Sequence, residues 1–544
     1  MHKRNIFQAP LLLVLAFGGF AVCNKIVDIA IGLPLDDAYI FKRYALNLAA
    51  GLGFSFNPGE PSLGCSSYLW TVLLAGLVKV FGKDHYFVIA QGAGIFFTAC
   101  AVYLLLRLIL DYTGSWLLVL AGTFLAWLSS VTFMNALSGM ESGLFSFLVM
   151  LNIAQLSKYQ NSKIRGAFKM GVLAGLVFLT RPEGLYFAAA IGFILFFKFF
   201  KSTKFAFFQM IIFALGFAIL ACPYVYWLRH NFHQLLPYTV LAKIYSSDPN
   251  LLNRDLARKF GDGLGFLVSG WYLLVSPWKI AGYILGGFAF LGLFYAGLEF
   301  LKKEGNAALA LIAGWGFLPF AYGYGFAVTP HFGGYYQRYI CSVWLVIILL
   351  GLATANRVYL LVLPRIARLG CLKTLVCLIA LTAGLIYCWP IAKGQISEGK
   401  ASYDREVSLN QGLRMAAAQW LSQDTPKDAR ILVGYTGLGV VGGESDRYVL
   451  DVGALINPDL IYYLAGTAHM SDARWKSIMT YVCAKELDYF VSFAPVFGPD
   501  PANSPGFSEK AQLGEKGQAK TAYDQVRVYQ IDRTVLCNKQ SPPK

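Results

Sequence analysis

The stretch LPLDDAYIFKRY, residues 33–44, places two adjacent aspartates, Asp36 and Asp37, shortly after a segment that is almost entirely apolar. That segment belongs to a chain of 544 residues in which 57% are hydrophobic and only 14% are charged. Soluble domains carry roughly 25% charged residues, so this composition indicates a protein of the lipid bilayer. The two carboxylates therefore mark a point where an apolar segment meets the membrane surface.

Eleven windows of the sequence are candidate transmembrane helices, each of which needs about 20 mainly apolar residues. They are 6–24, 86–110, 115–134, 139–157, 166–180, 184–200, 206–228, 279–301, 307–328, 338–356 and 371–390. No small-residue cleavage site follows the first window, so we interpret it as a retained helix. The segment 68–82 is marginal in length and contains Lys79, and we place it on the outer interface as an amphipathic helix.

Basic residues predict the orientation, because Lys and Arg in short loops stay on the cytoplasmic side. With the N-terminus inside, they fall in alternate loops, at residues 107, 158–169, 198–204, 302–303 and 357–373. The sequence thus predicts a multi-pass protein of a bacterial inner or plasma membrane, with a cytoplasmic N-terminus and an extracytoplasmic C-terminus. The net charge of +16 follows from this topology, and no basic patch with interleaved aromatics indicates nucleic-acid binding.

The character of the chain changes abruptly after Pro390, and we predict two domains. Residues 1–392 form a polytopic α-helical module of about 11 transmembrane helices, with larger outer loops at 25–85 and 229–278. Residues 393–544 combine helix and strand signals and form a soluble extracytoplasmic α/β domain.

The soluble domain contains GLGVVG, residues 437–442, after a predicted strand at 430–435. A dinucleotide-binding fingerprint requires a helix to open at these glycines, whereas this chain returns to a strand at 447–452. A glycine-rich turn accounts better for the motif. Cys483 and Cys537 lie in the same domain, and their pairing stays open at this point because connectivity cannot be deduced from sequence.

Asp36 and Asp37 open a short amphipathic helix that includes Tyr44 and ends near Gly51. One interpretation is structural, since carboxylates in a first helical turn cap free N–H groups and complement the helix dipole. The other is catalytic. Neighbouring helical side chains point roughly 100° apart, so one carboxylate would act as a general base while the other holds a hydroxyl or a cation.

Two further motifs contain charged residues at the ends of predicted spans. In SGMESGLF, Ser138 and Glu141 fit a capping box that would serve only the helix end. In LTRPEGLYF, Arg181 and Glu183 flank Pro182 between two short helices, where a structural role is equally open. Charges at this depth are nevertheless costly and are functional candidates.

A fourth motif, TPHFGGYYQRY at 329–339, gathers His331, Tyr336 and Arg338 between two spans. All four motifs lie on the outer side in the predicted topology. Carboxylates at one edge, arginines at another and aromatics between them suit a substrate with a phosphate and a polyol.

These residues resemble the membrane glycosyltransferases of the GT-C superfamily, and above all its mycobacterial terminal arabinofuranosyltransferase and protein mannosyltransferase-like members. The resemblance rests on an ordered series of motifs, namely DDAYIFKRYALNLAAGLGFSFNPGE, GCSSYLW, GMESGLF, LTRPEGL and RYVLDVGALINPDL. The family usually has a proline where this chain has Tyr68, so the acceptor loop is expected to differ in shape.

The resemblance implies an inverting transferase that moves a sugar from a polyprenyl-phosphate donor to an extracytoplasmic glycan, lipid or protein. Carried over by position, Asp36 is the expected general base and Asp37 its close partner. The donor phosphate would be bound by Arg338 or Arg181, or by a divalent cation held by Asp37 and Glu141, and we favour arginine. The expected substrate-binding residues are Glu141, Glu183, His331, Tyr336 and Tyr44.

A transporter or flippase for lipid-linked or small substrates is the alternative function. It would favour repeated halves, broken helices near the midplane and ionisable residues buried within spans. This sequence has no internal repeat that we recognise, and its marked polar residues gather at the outer surface instead.

Overall fold

The computed structural model describes most of the chain. It covers residues 5–29, 31–157, 164–198, 203–235, 237–239, 241–242, 258, 261, 271–301, 338–366, 371–434, 437–464, 467, 471–493, 501–514 and 525–537.

Helices dominate the first three quarters of the chain. They are α1 (Asn5–Val27), α2 (Asp36–Ala49), α3 (Tyr68–Phe81), α4 (Tyr86–Thr113), α5 (Trp116–Trp127), α6 (Ser130–Leu137), α7 (Ser142–Ser157), α8 (Ile164–Thr180), α9 (Gly184–Lys198), α10 (Thr203–Phe232), α11 (Lys279–Leu301), α12 (Cys341–Ile366) and α13 (Cys371–Ser408). The helix ends follow local sequence rules. Helix α4, for example, ends before Gly114. This glycine has a positive φ of 65°, the left-handed conformation in which glycine commonly terminates a helix.

Within the described ranges, five helices are long and apolar enough to cross a membrane, and they lie in α1, α4, α10, α11 and α12. Each coincides with a predicted span. The apolar helices α7 and α9 also lie in predicted spans but are shorter, and the predicted span 307–328 lies outside the described residues. The chain is an integral membrane protein with a mostly helical fold.

The predicted span at 115–134 corresponds to two helices, α5 and α6, which meet at an angle of 58°. The helix breaks at Leu128 and Ser129, and the residues of α6 from Val131 to Leu137 are all buried. Burial of all these residues means that protein surrounds α6, so α6 turns into the bundle. By contrast, α3 has 14 residues, which suits the predicted interfacial helix.

Close backbone contact holds α8 against α10. A Cβ at Gly171 of α8 would overlap the carbonyl oxygen of Phe213, and one at Gly216 of α10 would overlap that of Phe168. Small residues let apolar helices approach closely, and packing of this kind drives helix association in lipid. Helices α8 and α10 therefore form a closely packed pair, and α8 also contacts α3.

Residues 415–537, called here the C-terminal region, contain a five-stranded sheet. Its strands are β1 (Arg430–Val433), β2 (Tyr448–Asp451), β3 (Tyr489–Phe493), β4 (Phe507–Leu513) and β5 (Val526–Ile531), in the order β2-β1-β3-β5-β4. β1 pairs parallel with β2 and β3, whereas β5 pairs antiparallel with β3 and β4. Helices α14 (Met415–Asp424), α15 (Leu460–Leu464), α16 (Asp472–Ala484) and α17 (Arg533–Cys537) accompany the sheet.

A disulfide joins Cys483 at the end of α16 to Cys537 at the end of α17, with 5.7 Å between the Cα atoms. The GLGVVG motif forms a wide helical turn, Leu438–Gly442, between β1 and β2. It does not open a longer helix, which agrees with the interpretation of a glycine-rich turn rather than a nucleotide-binding loop.

Asp451 organises the turn that follows β2. Its carboxylate accepts hydrogen bonds from the backbone N–H groups of Leu455 at 2.9 Å and Ile456 at 3.1 Å. The side chain is buried, and burial raises the pKa of the Asp451 carboxyl from 3.8 to about 6 despite these N–H donors. The turn is therefore fixed by a carboxyl that titrates near neutral pH.

We expect Asp451→Asn to reduce the pH dependence of stability. A carboxyl with a higher pKa in the folded than in the unfolded chain binds more protons when folded, so it stabilises the fold at low pH. This contribution of about 3 kcal/mol is complete below the unfolded pKa of 3.8 and is lost as the pH rises through about 6. The asparagine oxygen keeps an acceptor for the same N–H groups but does not titrate.

The measurement is thermal unfolding in detergent at about pH 5 and about pH 7. The wild type should lose more stability than the variant between the two conditions. Equal losses would contradict the titration assigned to Asp451.

Candidate active site

The first turn of α2 separates the two aspartates. The N-cap residue, Leu35, has no side chain that caps the helix, and Asp36 and Asp37 supply the negative charge of the first turn. Because the side chains of adjacent helical residues diverge, the two carboxylates meet different parts of the protein.

Asp36 is bound to the C-terminal region. Its Oδ2 accepts the backbone N–H of Gly439 and its Oδ1 accepts that of Val440, both at 2.9 Å. Burial raises the pKa of the Asp36 carboxyl to about 6, although nearby Arg414 and the two N–H donors lower it. Both carboxylate oxygens of Asp36 are therefore engaged by backbone groups that lie about 400 residues later in the chain.

Asp37 lines a cavity of about 130 Å³ between α2, the residues just before α12 and the C-terminal region. Its side chain is 43% exposed. The other residues of the cavity wall are Ile40, Phe41, Gly64, Cys65, Ser66, Met140, Glu141, Thr239, Arg338, Tyr339 and Leu455. Three residues predicted from sequence, Asp37, Glu141 and Arg338, thus share one cavity.

Arg338 forms the opposite wall and faces Asp37. Its Nη2 donates to Asp37 Oδ2 at 2.6 Å and to the Tyr339 hydroxyl at 2.9 Å. The Nε and Nη1 atoms of Arg338 are buried, and neither has a hydrogen-bond partner among the described residues. Buried polar groups usually find partners, so these two donors are suited to bind an anion.

Arg181 and Glu141 form a buried ion pair beside Arg338, and of the two only Glu141 lines the cavity. The Arg181 Nε is 3.4 Å from Glu141 Oε1 and 3.8 Å from Glu183 Oε2, and the side chains of Arg181 and Glu141 are 4% and 2% exposed. Arg181 Nη1 also donates to the backbone oxygen of Arg338 at 3.2 Å. Arg181 therefore holds the backbone of Arg338 in place and is not part of the cavity wall.

The capping-box alternative for Glu141 is wrong. The backbone N–H of Ser138 bonds to Asn135, and its hydroxyl donates to Asn135 and accepts from Met140. Helix α7 begins only at Ser142, so Ser138 does not stand at its N-cap. Glu141 is therefore available to Arg181, and its second oxygen, Oε2, is buried without a partner in the described structure.

Tyr339 was not singled out by sequence reasoning, although it closes the motif that contains Arg338. The guanidinium carbons of Arg181 and Arg338 each lie 4.9 Å from the centre of its ring. Arginine stacks favourably on aromatic faces. The only sequence signal for this role is the position of a tyrosine next to an arginine.

The remaining predicted residues lie at different distances from the cavity. Tyr44 is buried behind the wall, where its hydroxyl is 2.8 Å from Ser62 Oγ and accepts the N–H of Gly64 at 2.7 Å. It shapes the cavity through Gly64 rather than by lining it. His331 and Tyr336 lie outside the described residues.

The described residues do not fit a metal ion well. No group of three or more His, Cys, Asp or Glu side chains comes together in the described part of the chain. The two acids that the sequence suggested as cation ligands, Asp37 and Glu141, are each paired with an arginine. We therefore derive no step through a divalent cation.

Known proteins match this chain in structure but not in sequence, since no family model and no curated protein matches it. ArnT from Cupriavidus metallidurans, solved with bound undecaprenyl phosphate, superposes with a TM-score of 0.56 and 11% identity, over 96% of this chain and 98% of that one. The chain has the GT-C fold. At this identity, the GT-C fold establishes an architecture and leaves the substrate open.

A second structure with the GT-C fold is the oligosaccharyltransferase AglB from Archaeoglobus fulgidus, solved with an inhibitory peptide and a dolichol-phosphate. It superposes with a TM-score of 0.51 and 12% identity, over 90% of this chain and 70% of that one. The same oligosaccharyltransferase tethered to an acceptor peptide gives a TM-score of 0.52 and 13% identity, with coverage of 90% and 69%.

We expect Glu141→Gln to lower the free energy of unfolding by about 3 kcal/mol, because removing one partner of a buried ion pair leaves the other charge uncompensated. Glu183→Gln is the matched control, since Glu183 is more exposed, at 18%, and more distant from Arg181. Thermal unfolding in detergent measures both variants. The buried pair would lose its assigned role if the control were as unstable as Glu141→Gln.

Proposed function

We propose that this protein is an integral-membrane glycosyltransferase that moves a sugar from a polyprenyl-phosphate donor to an extracytoplasmic glycan, lipid or protein. One observation carries the proposal: a single cavity contains a partly exposed carboxylate, Asp37, and a buried arginine, Arg338, with two donors that no described residue uses. Support comes from the GT-C fold, which is also that of ArnT bound to undecaprenyl phosphate.

The proposed topology has about eleven crossings, a cytoplasmic N-terminus and an extracytoplasmic C-terminal α/β domain. The alternating basic loops support it. The disulfide between Cys483 and Cys537 supports it independently, because disulfides persist in oxidising compartments outside the cytoplasm. The cavity would then lie at the level of the outer lipid headgroups, where a lipid-borne sugar meets a water-borne hydroxyl.

The general base in this proposal is Asp37, whereas sequence position alone favoured Asp36. Support for Asp37 is its exposure in the cavity. Both oxygens of Asp36 already accept backbone N–H groups, so this side chain is less suited to accept a substrate proton. A base must come within hydrogen-bond reach of the proton that it removes, and Asp37 is the acid that a substrate in the cavity would meet.

The reaction is then a single displacement. Asp37 accepts the proton of an acceptor hydroxyl as that oxygen forms a bond to the anomeric carbon of the donor. The bond between this carbon and the phosphate oxygen breaks on the opposite face, and its electron pair leaves with the polyprenyl phosphate. The configuration at the anomeric carbon is inverted.

Arg338 stabilises the leaving group. Its Nη2 holds Asp37, while Nε and Nη1, which point away from different edges of the guanidinium, remain as charged donors, and a charge-assisted hydrogen bond from either to a phosphate oxygen is stronger than a neutral one. Negative charge grows on the phosphate as the bond breaks, so donors fixed in advance favour the transition state. Arg181 acts through Arg338, whose backbone oxygen it holds.

We expect Asp37→Asn to reduce sugar transfer at least a hundredfold, since positioned base catalysis typically contributes 10² to 10⁴ in rate. Purified protein is incubated with a panel of radiolabelled polyprenyl-phosphate sugars and a membrane extract as acceptor. Asp28→Asn is the matched control, because Asp28 is exposed and lies outside the cavity. Near-normal transfer by Asp37→Asn would exclude the proposed base, and a wild type that moves labelled lipid across vesicles without transfer would support a flippase.

We expect Arg338→Ala to raise the KM for the polyprenyl-phosphate donor at least tenfold, and Arg338→Lys to raise it less, because lysine keeps the charge but loses the several fixed donors of the guanidinium. Steady-state kinetics at saturating acceptor measures both. Arg229→Ala serves as the control, since this arginine is exposed and bonds only locally to His233 among the contacts described. Equal effects of the alanine and lysine variants would argue against a phosphate clamp.

A further inference from the structure

Several side chains of α2, the helix that carries Asp37, bind the C-terminal region. The Asp36 carboxylate binds two N–H groups of the GLGVVG turn, as described above. Nearly two turns later in α2, Lys42 forms an ion pair with Glu444 at 2.7 Å, and Arg43 donates to the backbone oxygen of Gly443 at 3.4 Å. Three side chains of α2 thus contact one short stretch, residues 439–444.

The close packing between α2 and the GLGVVG turn requires a glycine at position 439. A Cβ added to Gly439 would overlap the backbone carbonyl oxygen of Asp36. At Gly443, in contrast, the nearest atoms to an added Cβ lie 3.8 Å and 3.9 Å away, which is ordinary contact. The two glycines therefore differ sharply, although they are only four residues apart.

A second set of contacts fixes the loop after α2. The Asn57 side chain donates to the backbone oxygen of Val449 at 2.8 Å and accepts its N–H at 3.0 Å. Val449 lies in β2, the strand at one edge of the sheet. The Asn57 side chain therefore provides hydrogen-bond partners for backbone groups of this edge strand. Tyr448 adds a hydrogen bond to Glu60 at 2.8 Å.

The C-terminal region also reaches the cavity itself. Leu455, in the turn held by Asp451, is part of the cavity wall. Gly64, in the loop after α2, packs against this turn. A Cβ added to Gly64 would lie 2.6 Å from the Ile456 side chain and 2.9 Å from the backbone oxygen of Leu455. The loop after α2 and the turn after β2 therefore form one continuous wall.

We propose that the C-terminal region is a positioning element of the catalytic cavity, and that its GLGVVG turn orients Asp37 by holding the first turn of α2. The inference rests on the proposed function. Asp36 is a positioning residue in this account, since it acts through its neighbour. Arg338 contacts Asp37 through Nη2 alone, and its backbone is held by Arg181, so the turn controls the geometry of the base more than the binding of the donor phosphate.

The test compares Gly439→Ala with Gly443→Ala in the full-length protein. Gly439→Ala should lower kcat at least tenfold and change the KM for the polyprenyl-phosphate donor less than twofold, because a small misplacement of a catalytic group is costly while the phosphate site is intact. Gly443→Ala should stay within twofold of the wild type in both constants.

Hydrogen exchange measured by mass spectrometry gives a readout that does not depend on activity. Backbone N–H groups in residues 36–41 should exchange faster in Gly439→Ala than in the wild type and Gly443→Ala. If Gly439→Ala does not fold, Asn57→Ala takes its place, with the same expected direction in kcat and exchange because it removes the second set of contacts.

Each outcome bears on a separate claim. Unchanged exchange at residues 36–41 in Gly439→Ala overturns the positioning role, whatever the activity. Faster exchange with unchanged kcat overturns the link between docking and catalysis. Absence of sugar transfer in the wild type removes the proposed function, and the exchange comparison then still decides whether the turn holds α2.

Discussion

The ion pair between Asp37 and Arg338 is the interaction on which the cavity depends. It joins the start of α2 to the residues just before α12, across 301 positions of sequence. One nitrogen of the guanidinium holds the carboxylate in place while two others remain for a ligand. A carboxylate and a guanidinium with two further donors are thus brought together in one cavity, which is the combination that the proposed base and leaving-group clamp require.

Charge balance explains why the apolar bundle tolerates this arrangement. Burying an ion is expensive unless it is paired and hydrogen-bonded, and each arginine here has at least one acid partner. Arg338 is paired with Asp37, and Arg181 with Glu141. Tyr339 contacts both guanidinium groups. The charged residues therefore form two adjacent ion pairs, and the buried arginine of the second pair holds the backbone of Arg338 in the first.

The sequence predicted five of the long apolar helices, and its charged motifs include three residues of the cavity, Asp37, Glu141 and Arg338, because composition and residue type carry those signals. It did not predict the partner of Asp36, since a hydrogen bond to the backbone of Gly439 depends on a contact 403 positions away. Leu455 was missed for the same reason. β4 escaped prediction because FSEKAQL lacks a regular alternation, and its residues are mostly exposed or half-buried. The bend between α5 and α6 reflects tertiary packing, which local hydropathy does not encode.

The shared wall of Gly64 and Leu455 has a consequence for biosynthesis. A nascent chain that has inserted all its helices still lacks the cavity, because one side of it is made from residues near position 455. The cavity is complete only after the last quarter of the polypeptide has left the ribosome, folded and docked against α2 and the loop that follows it. A partly synthesised molecule in the membrane therefore has no complete cavity in which a substrate could bind.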